Sequence, residues 1–246
     1  MHPYLTFGTT ILPTYGVLFV AAVFVAGAYI TLRTWRDRQS VEDATYLYAL
    51  TAIGAIVGAK LVYAVIKALG GEAHTLWEAL GGSSAVGGVA GAGIGAIMTC
   101  RFFGWRLFSF APRLAPALPL AISIIRLGCL CEGCCYGLPF THGIVFRESP
   151  IAPNGIPLVP TQIIDSVVMF MLFAVMHMLS TRTAPERLLT ILACCCATAR
   201  FTEDWFRGDA VPGPTPLLSM TQLAILALML LGMMTIKPIA TFTRRH

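Results

Sequence analysis

Charge is scarce in this chain. Only 12% of its 246 residues are Asp, Glu, Lys or Arg, against about 25% in a soluble domain. Hydrophobic residues make up 57% and the mean hydropathy is +0.75, which excludes an ordinary soluble globular protein. Blocks of like charge are missing too. The net charge of +5 is spread over many short segments, so no nucleic-acid-binding face is expected. Histidine is rare: the five are His2, His74, His142, His177 and His246, and no pair stands at a ligand spacing. One C-x-x-C occurs and no second, which argues against a zinc site of the usual build. The opening stretch MHPYLTFGTTILP lacks the basic segment that begins a cleavable signal peptide, so residues 1–13 are expected to remain.

Long apolar runs take the place of charge. About 20 apolar residues span a bilayer as a helix, and seven spans are predicted, at 14–32, 48–68, 83–102, 112–131, 161–180, 187–206 and 217–235. The 23 glycines and 15 prolines suit such helices, because small residues let backbones approach. One set of connecting segments holds Arg33, Arg36, Arg38, Arg101, Arg106, Arg113, Arg182, Arg187, Lys237, Arg244 and Arg245. The alternate set holds Lys67, Arg147 and Arg207. By the positive-inside rule, this imbalance predicts an outside N-terminus and a cytoplasmic C-terminus. The expected architecture is all-α, a polytopic membrane protein with a single transmembrane domain over 1–246.

Three basic residues remain, and all lie within predicted spans: Lys60, Arg126 and Arg200. A charge at the bilayer centre costs about 2.5–3.5 kcal/mol on insertion scales, and it marks a functional site unless it reaches an interface. Arg126 and Arg200 fall toward the outer ends of the fourth and sixth spans, with Glu132, Glu203, Asp204 and Arg207 within a turn or two. Two readings stand. The group is an ion-pair network tying two helices together, or it is an outward-facing polar cavity holding an anion such as a lipid headgroup, which a guanidinium fork suits.

Residues 81–96, GGSSAVGGVAGAGIGA, are nearly all small. They read as a tightly packed helix, or Gly87 and Gly88 let a bulky substrate approach the backbone. The Pro-rich, polar segment 132–160 is long enough to cover a site as an outer loop or cap. Cys129, Cys131, Cys134 and Cys135 cluster in RLGCLCEGCCYG (126–137), while Cys194, Cys195 and Cys196 sit within the sixth span. The triplet reads as packing. A redox pair of Cys131 and Cys134 is open to the first group, which faces an oxidising compartment on this topology; otherwise its cysteines serve as small residues in a crowded turn, with Gly133 and Gly137.

Six motifs in order carry a resemblance. They are TYGVLF (14–19), GAKLVY (58–63), LAPALPLAISIIRLG (114–128) with the following EGCCYG, PTQIIDS (160–166), ARFTEDWFR (199–207) and LSMTQ (218–222). Together these resemble the prolipoprotein diacylglyceryl transferase family of bacterial inner membranes, over nearly the whole chain. The resemblance makes Tyr15 the tyrosine of the first motif, puts Lys60 at an arginine position, and assigns the family's two arginines to Arg126 and Arg200, with Asp204 as the acid.

The resemblance implies a reaction. The family transfers the diacylglyceryl group of phosphatidylglycerol to the lipobox cysteine thiol of a prolipoprotein, forming a thioether and releasing glycerol phosphate, with no metal or organic cofactor. Arg126 and Arg200 are then expected to hold the leaving phosphate. Glu132 or Asp204 would accept the thiol proton or orient an arginine. Tyr15, Lys60, Gly87, Gly88, Gly133, Tyr136, Gly137, Glu203 and Arg207 are the expected substrate-binding residues. Partners are the phospholipid, the thiol-bearing acceptor and the bilayer, in the bacterial inner membrane. The chain departs from the family pattern at Val86, where a histidine is usual, and at Cys129 and Glu132, where asparagines are usual; Glu132 or His142 is the substitute base. The competing classes are a thiol-redox or sulfur-handling membrane protein, which would need Cys131 and Cys134 rather than Arg200, and a non-catalytic lipid or lipoprotein binder, which would tolerate Glu132→Gln.

Overall fold

The computed structural model describes residues 3–7, 10–69, 82, 84–210, 212–215, 218–219, 221–223 and 225–226. The chain is mainly helical: α1 Thr14–Arg36, α2 Val41–Leu69, α3 Ala85–Phe103, α4 Ala111–Glu132, α5 Thr161–Leu179 and α6 Pro185–Glu203. Among the described residues, five segments are long and apolar enough to cross a membrane, namely Thr14–Arg36, Val41–Ala68, Val86–Phe103, Leu107–Glu132 and Thr161–Leu179. α6 falls where the sixth span was predicted, but Glu186, Arg187, Arg200 and Glu203 keep it out of that set. The span predicted at 217–235 lies mostly outside the described residues.

Helix α2 begins at Val41 rather than 48. Ser40 Oγ accepts from the Asp43 amide at 3.2 Å, and Glu42 and Asp43 face the positive end of the helix dipole. Three two-stranded hairpins were not anticipated: β1 Tyr4–Phe7 with β2 Thr10–Pro13, β3 Pro139–Val145 with β4 Pro157–Leu158, and β5 Pro212–Thr215 with β6 Leu218–Ser219. All three are antiparallel.

The chain divides into two compact units. One comprises Met1–Val23, Leu118–Met176 and Leu189–His246, and the other comprises Phe24–Ala117 and His177–Leu188. In the second unit α2 and α3 meet along a glycine seam. Gly54 and Gly58 on α2 face Gly87, Gly91 and Gly95 on α3, each set spaced by four residues, so that both lie on one helix face. A methyl on Gly58 would come within 2.8 Å of Gly91 Cα, and one on Gly91 within 2.9 Å of Gly58 Cα. Gly87 belongs to the same contact, since a Cβ there would meet the Val62 side chain at 2.6 Å. Of the two readings of the small-residue run, this is the packing one at Gly87. Gly88 has only ordinary contacts, the nearest at 3.7 Å. At the far end of α3, Leu47, Ala96 and Cys100 form a small core closed by Trp105, Leu107, Phe110 and Leu114.

In the first unit the segment after α4 is ordered. Phe146, Ala152 and Leu158 form its core, with Leu130, Tyr136 and Ile144 packed against them. Helices α4 and α5 are stitched by Ser166 Oγ donating to the Ser123 carbonyl at 2.8 Å. A hydroxyl that bonds a neighbouring backbone is well placed in an apolar setting, where no water would satisfy it.

The seam makes a comparative prediction. Gly91→Ala is expected to destabilise the protein by about 1–3 kcal/mol through overpacking. Gly93→Ala, with nothing within 4 Å of the added methyl, is expected to be neutral or stabilising by up to about 1 kcal/mol. Thermal unfolding of the two purified variants in detergent checks the ranking, and equal melting temperatures would contradict the seam.

Candidate active site

Arg126 stands on α4 six residues before its C-terminal end, and three helices of the first unit converge on it. Its Nε makes an ion pair with Asp165 Oδ2 of α5. Its Nη2 donates to Glu203 Oε2 of α6 at 3.1 Å. The three side chains are 13%, 4% and 7% exposed, respectively. In so dry a setting each charge requires the others, because an unpaired buried ion costs several kcal/mol. Glu203 Oε2 also accepts from Arg200 Nη1 at 2.8 Å, and Arg200 Nη2 reaches Asp204 Oδ1 at 3.2 Å. Asp204 in turn accepts from the Ser219 hydroxyl. Ser219 starts the next turn, where its Oγ accepts the Gln222 amide at 3.1 Å, and Gln222 Nε2 donates to the Phe201 carbonyl at 3.0 Å. Two guanidiniums thus face three carboxylates. Glu203 Oε1 is buried with no hydrogen-bond partner among the described residues.

The turn that follows α4 is the second part of the site. Gly133 caps the helix at φ 87°, its amide donating to the Cys129 carbonyl at 2.7 Å. Cys135, at φ 57°, is left-handed without being glycine. Its neighbours hold it there: Gln162 Nε2 donates to the Cys134 carbonyl at 2.9 Å, Thr161 Oγ1 to the Cys135 carbonyl at 2.7 Å, and the Cys135 amide to Asp209 Oδ2 at 3.1 Å. Asp209 is gripped by Arg207 through Nε at 2.8 Å and Nη2 at 2.9 Å. Burial opposes the Arg207 charge most strongly, but the Asp209 bonds together with the negative charges of Cys135, Asp209 and Glu203 raise its pKa. The Sγ atoms of Cys129, Cys134 and Cys135 lie within 4.8 Å of one another. The Cys129 and Cys134 thiols, then Arg207 and Arg126, hold the Cys135 thiol below its ordinary value, while thiol neighbours and burial push Cys134 up. The ring of Tyr15 lies against Gly128, where a Cβ would approach it to 3.2 Å, and the phenol is beside the cysteine group.

A cavity of about 680 Å³ adjoins the ion-pair network. Leu138, Pro139 and Phe140 of the hairpin segment line it on one side, with Ile164 and Val168 of α5 and Ala199 and Phe206 on others. Its polar groups include Asp165 and Glu203, both partners of Arg126. An apolar pocket of that size with a few convergent polar groups suits an amphiphile.

The structure therefore brings together Arg126, Arg200, Glu203 and Asp204, and it sets Tyr15, Gly133, Tyr136, Gly137 and Arg207 in the same unit. Gly137 pairs with Arg207 across a short antiparallel bridge, and the Gly208 amide donates to the Tyr136 carbonyl at 2.9 Å. Lys60, Gly87 and Gly88 belong to the other unit, where Lys60 Nζ donates to the Gly82 carbonyl at 3.0 Å. Glu132 was one of two acids expected to orient an arginine; Asp165 and Glu203 hold Arg126 instead, and Glu132 makes no ion pair among the described residues. Nor are Cys131 and Cys134 the sulfurs that meet. Residues 129 and 131 are two apart on a helix and point to different sides, and the fold gathers Cys129 with Cys134 and Cys135. Sequence reasoning passed over Asp165 and Asp209. An acid five residues into an apolar helix was the available signal for Asp165; for Asp209, six residues past the end of α6, there was none.

The family model for prolipoprotein diacylglyceryl transferase matches residues 4–237. The chain belongs to this family. It is similar to the phosphatidylglycerol–prolipoprotein diacylglyceryl transferase of Clostridium tetani, 28% identical over 224 residues, covering 89% of each chain. It is similar also to transferase 2 of Clostridium perfringens, 27% identical over 228 residues (90% of this chain, 88% of that protein), and to the enzyme of Dehalococcoides mccartyi strain 195, 28% identical over 200 residues (75% and 73%). Within this diacylglyceryl transferase scaffold, the arginine-bearing helix ends α4 and α6 are the ones joined by Arg126 and Glu203. Val86 is 69% exposed on α3.

Asp165 and Glu132 are expected to behave oppositely. Asp165→Ala leaves a buried guanidinium short of a partner and is expected to destabilise by about 3–5 kcal/mol. Glu132 ends α4, at the negative pole of the helix dipole, so Glu132→Gln is expected to stabilise by about 0.3–1 kcal/mol. Melting curves in detergent measure both; destabilisation by Glu132→Gln would show that its charge is used structurally.

Proposed function

We propose that this protein transfers the diacylglyceryl group of phosphatidylglycerol to the lipobox cysteine of a prolipoprotein. The observation that carries this reading is the Arg126 junction at the wall of an apolar cavity, in a chain of this family. The acyl-bearing glycerol needs an apolar recess, and its phosphate needs fixed positive charge nearby. As the thiolate sulfur bonds to the glyceryl carbon, the carbon–oxygen bond breaks and its electron pair stays on the phosphate. The leaving group passes from a monoanionic diester to a dianionic monoester. That added charge is what preorganised guanidiniums stabilise more than the ground state.

The two arginines divide the work. Arg126 is clamped by two carboxylates and orients the site, whereas Arg200 at 28% exposure is the more available to a phosphate. Asp204 is committed to Arg200 and Ser219, which suits it to positioning. Glu132, free of ion pairs among the described residues and placed at the helix end beside Tyr15, is the better acceptor for the thiol proton. The unpartnered Glu203 Oε1 offers an acceptor to a hydroxyl of the glycerol headgroup. Residues 132–160 form a cap whose Leu138, Pro139 and Phe140 cover the acyl side. Seven crossings, an outside N-terminus, a cytoplasmic C-terminus and residence in the bacterial inner membrane complete the reading, supported by the eleven-to-three distribution of basic residues.

The test uses purified protein, phosphatidylglycerol and a synthetic lipobox peptide, read by intact mass. An adduct of diacylglyceryl mass on the peptide cysteine is expected, with Arg200→Ala slowing its formation by about 10²–10³, well beyond the loss of folded protein that its melting curve records. No adduct from wild type, under conditions where a histidine-bearing relative turns over, would refute the assignment.

A further inference from the structure

We propose that Cys129, Cys134 and Cys135 form a binding site for one thiophilic closed-shell metal cation, of which Zn(II) is the representative case. The transfer reaction uses none of these sulfurs, yet the fold brings all three within 4.8 Å of one another. Zinc–sulfur bonds of about 2.3 Å place tetrahedrally arranged sulfurs about 3.8 Å apart, a spacing that small χ1 rotations reach from here. The spacing C-x4-C-C differs from paired C-x-x-C ligands, which is why the sequence alone argued against a metal.

The backbone supports the same conclusion. Cys135 is held left-handed at φ 57°, a conformation that is strained for a residue with a Cβ. Glycine would relieve it, and glycines stand nearby at 133 and 137. Instead a cysteine is kept there by Thr161, Gln162 and Asp209. The result aims its Sγ at the other two. A disulfide uses the arrangement poorly: Cys134 and Cys135 are sequence neighbours, and any pair strands the third sulfur. Three thiolates with Zn(II) carry one net negative charge, and Arg207 and Arg126, each already paired with carboxylates, are the cations that act on Cys135. Binding forms three metal–sulfur bonds and releases the thiol protons to solvent, with no change of oxidation state. A fourth position stays open to water or another donor.

The experiment uses the full chain in detergent, stripped of metal, reduced with a phosphine and titrated with Zn(II) against a chromophoric chelator. One equivalent of Zn(II) per chain is expected to survive gel filtration. Cys129→Ser is expected to lose it, and Cys131→Ser, outside the group, to keep it. Cys135→Gly removes a ligand while easing the backbone, so its loss of zinc with an unchanged or raised melting temperature cannot be ascribed to unfolding. Co(II) should give sulfur-to-metal charge-transfer absorption in wild type and not in Cys129→Ser. Zinc retention by Cys129→Ser and Cys135→Gly, no retention by wild type, loss in Cys131→Ser, or a disulfide among the three in the protein as purified would each overturn the proposal.

Discussion

A guanidinium shared by two carboxylates from two other helices is the interaction on which the first unit depends. Arg126 alone would be an expensive charge in an apolar helix, and so would Asp165 and Glu203. Together they pair with one another and fix three helices at one point. The junction is also electrically tense, since two arginines face three acids and one Glu203 oxygen lacks a donor among the described residues. Such a junction is stable enough to hold its shape and still has hydrogen-bonding capacity to offer a polar headgroup. The structural and functional readings of these charges are therefore not rivals: the same pairs that tie the helices also orient what remains free.

The turn after α4 depends on that junction in its geometry. Where α4 stops, Gly133 reverses the chain, and the next residues are fastened to the start of α5 by Thr161 and Gln162 and to the segment after α6 by Asp209. α4, α5 and α6 thus meet twice, once through charges and once through backbone bonds a few residues outward. From this second fastening the 138–158 hairpin projects with its own small core, giving the cavity an apolar wall that no helix supplies.

The second unit is built on a different principle. Its α2–α3 contact is close because side chains are absent, with glycine backbones touching where a methyl would collide. In an environment as apolar as the side chains themselves, packing distance rather than hydrophobic burial drives helix association. The α4–α5–α6 junction is thus held by paired charges, the α2–α3 contact by van der Waals fit.

Much was legible in the residues themselves. Low charge and long apolar runs determined a helical membrane protein, because a backbone without water must satisfy its own hydrogen bonds. The lone arginines within those runs marked the site, since nothing but function or pairing retains such charges. Six ordered motifs pointed to the family, and the match over residues 4–237 bears that out. Other features belong only to the tertiary structure. Partner choice is one: Arg126 has Glu132 six residues away in sequence, yet it pairs with Asp165 and Glu203, 39 and 77 positions on, because helix packing rather than sequence distance sets which carboxylates share its dry pocket. The sulfur group is another, for which Cys135's left-handed turn decides that Cys129 and not Cys131 joins Cys134. Periodicity and composition report what a segment buries; which side chains meet is decided by where the backbone bends and which helices close around it.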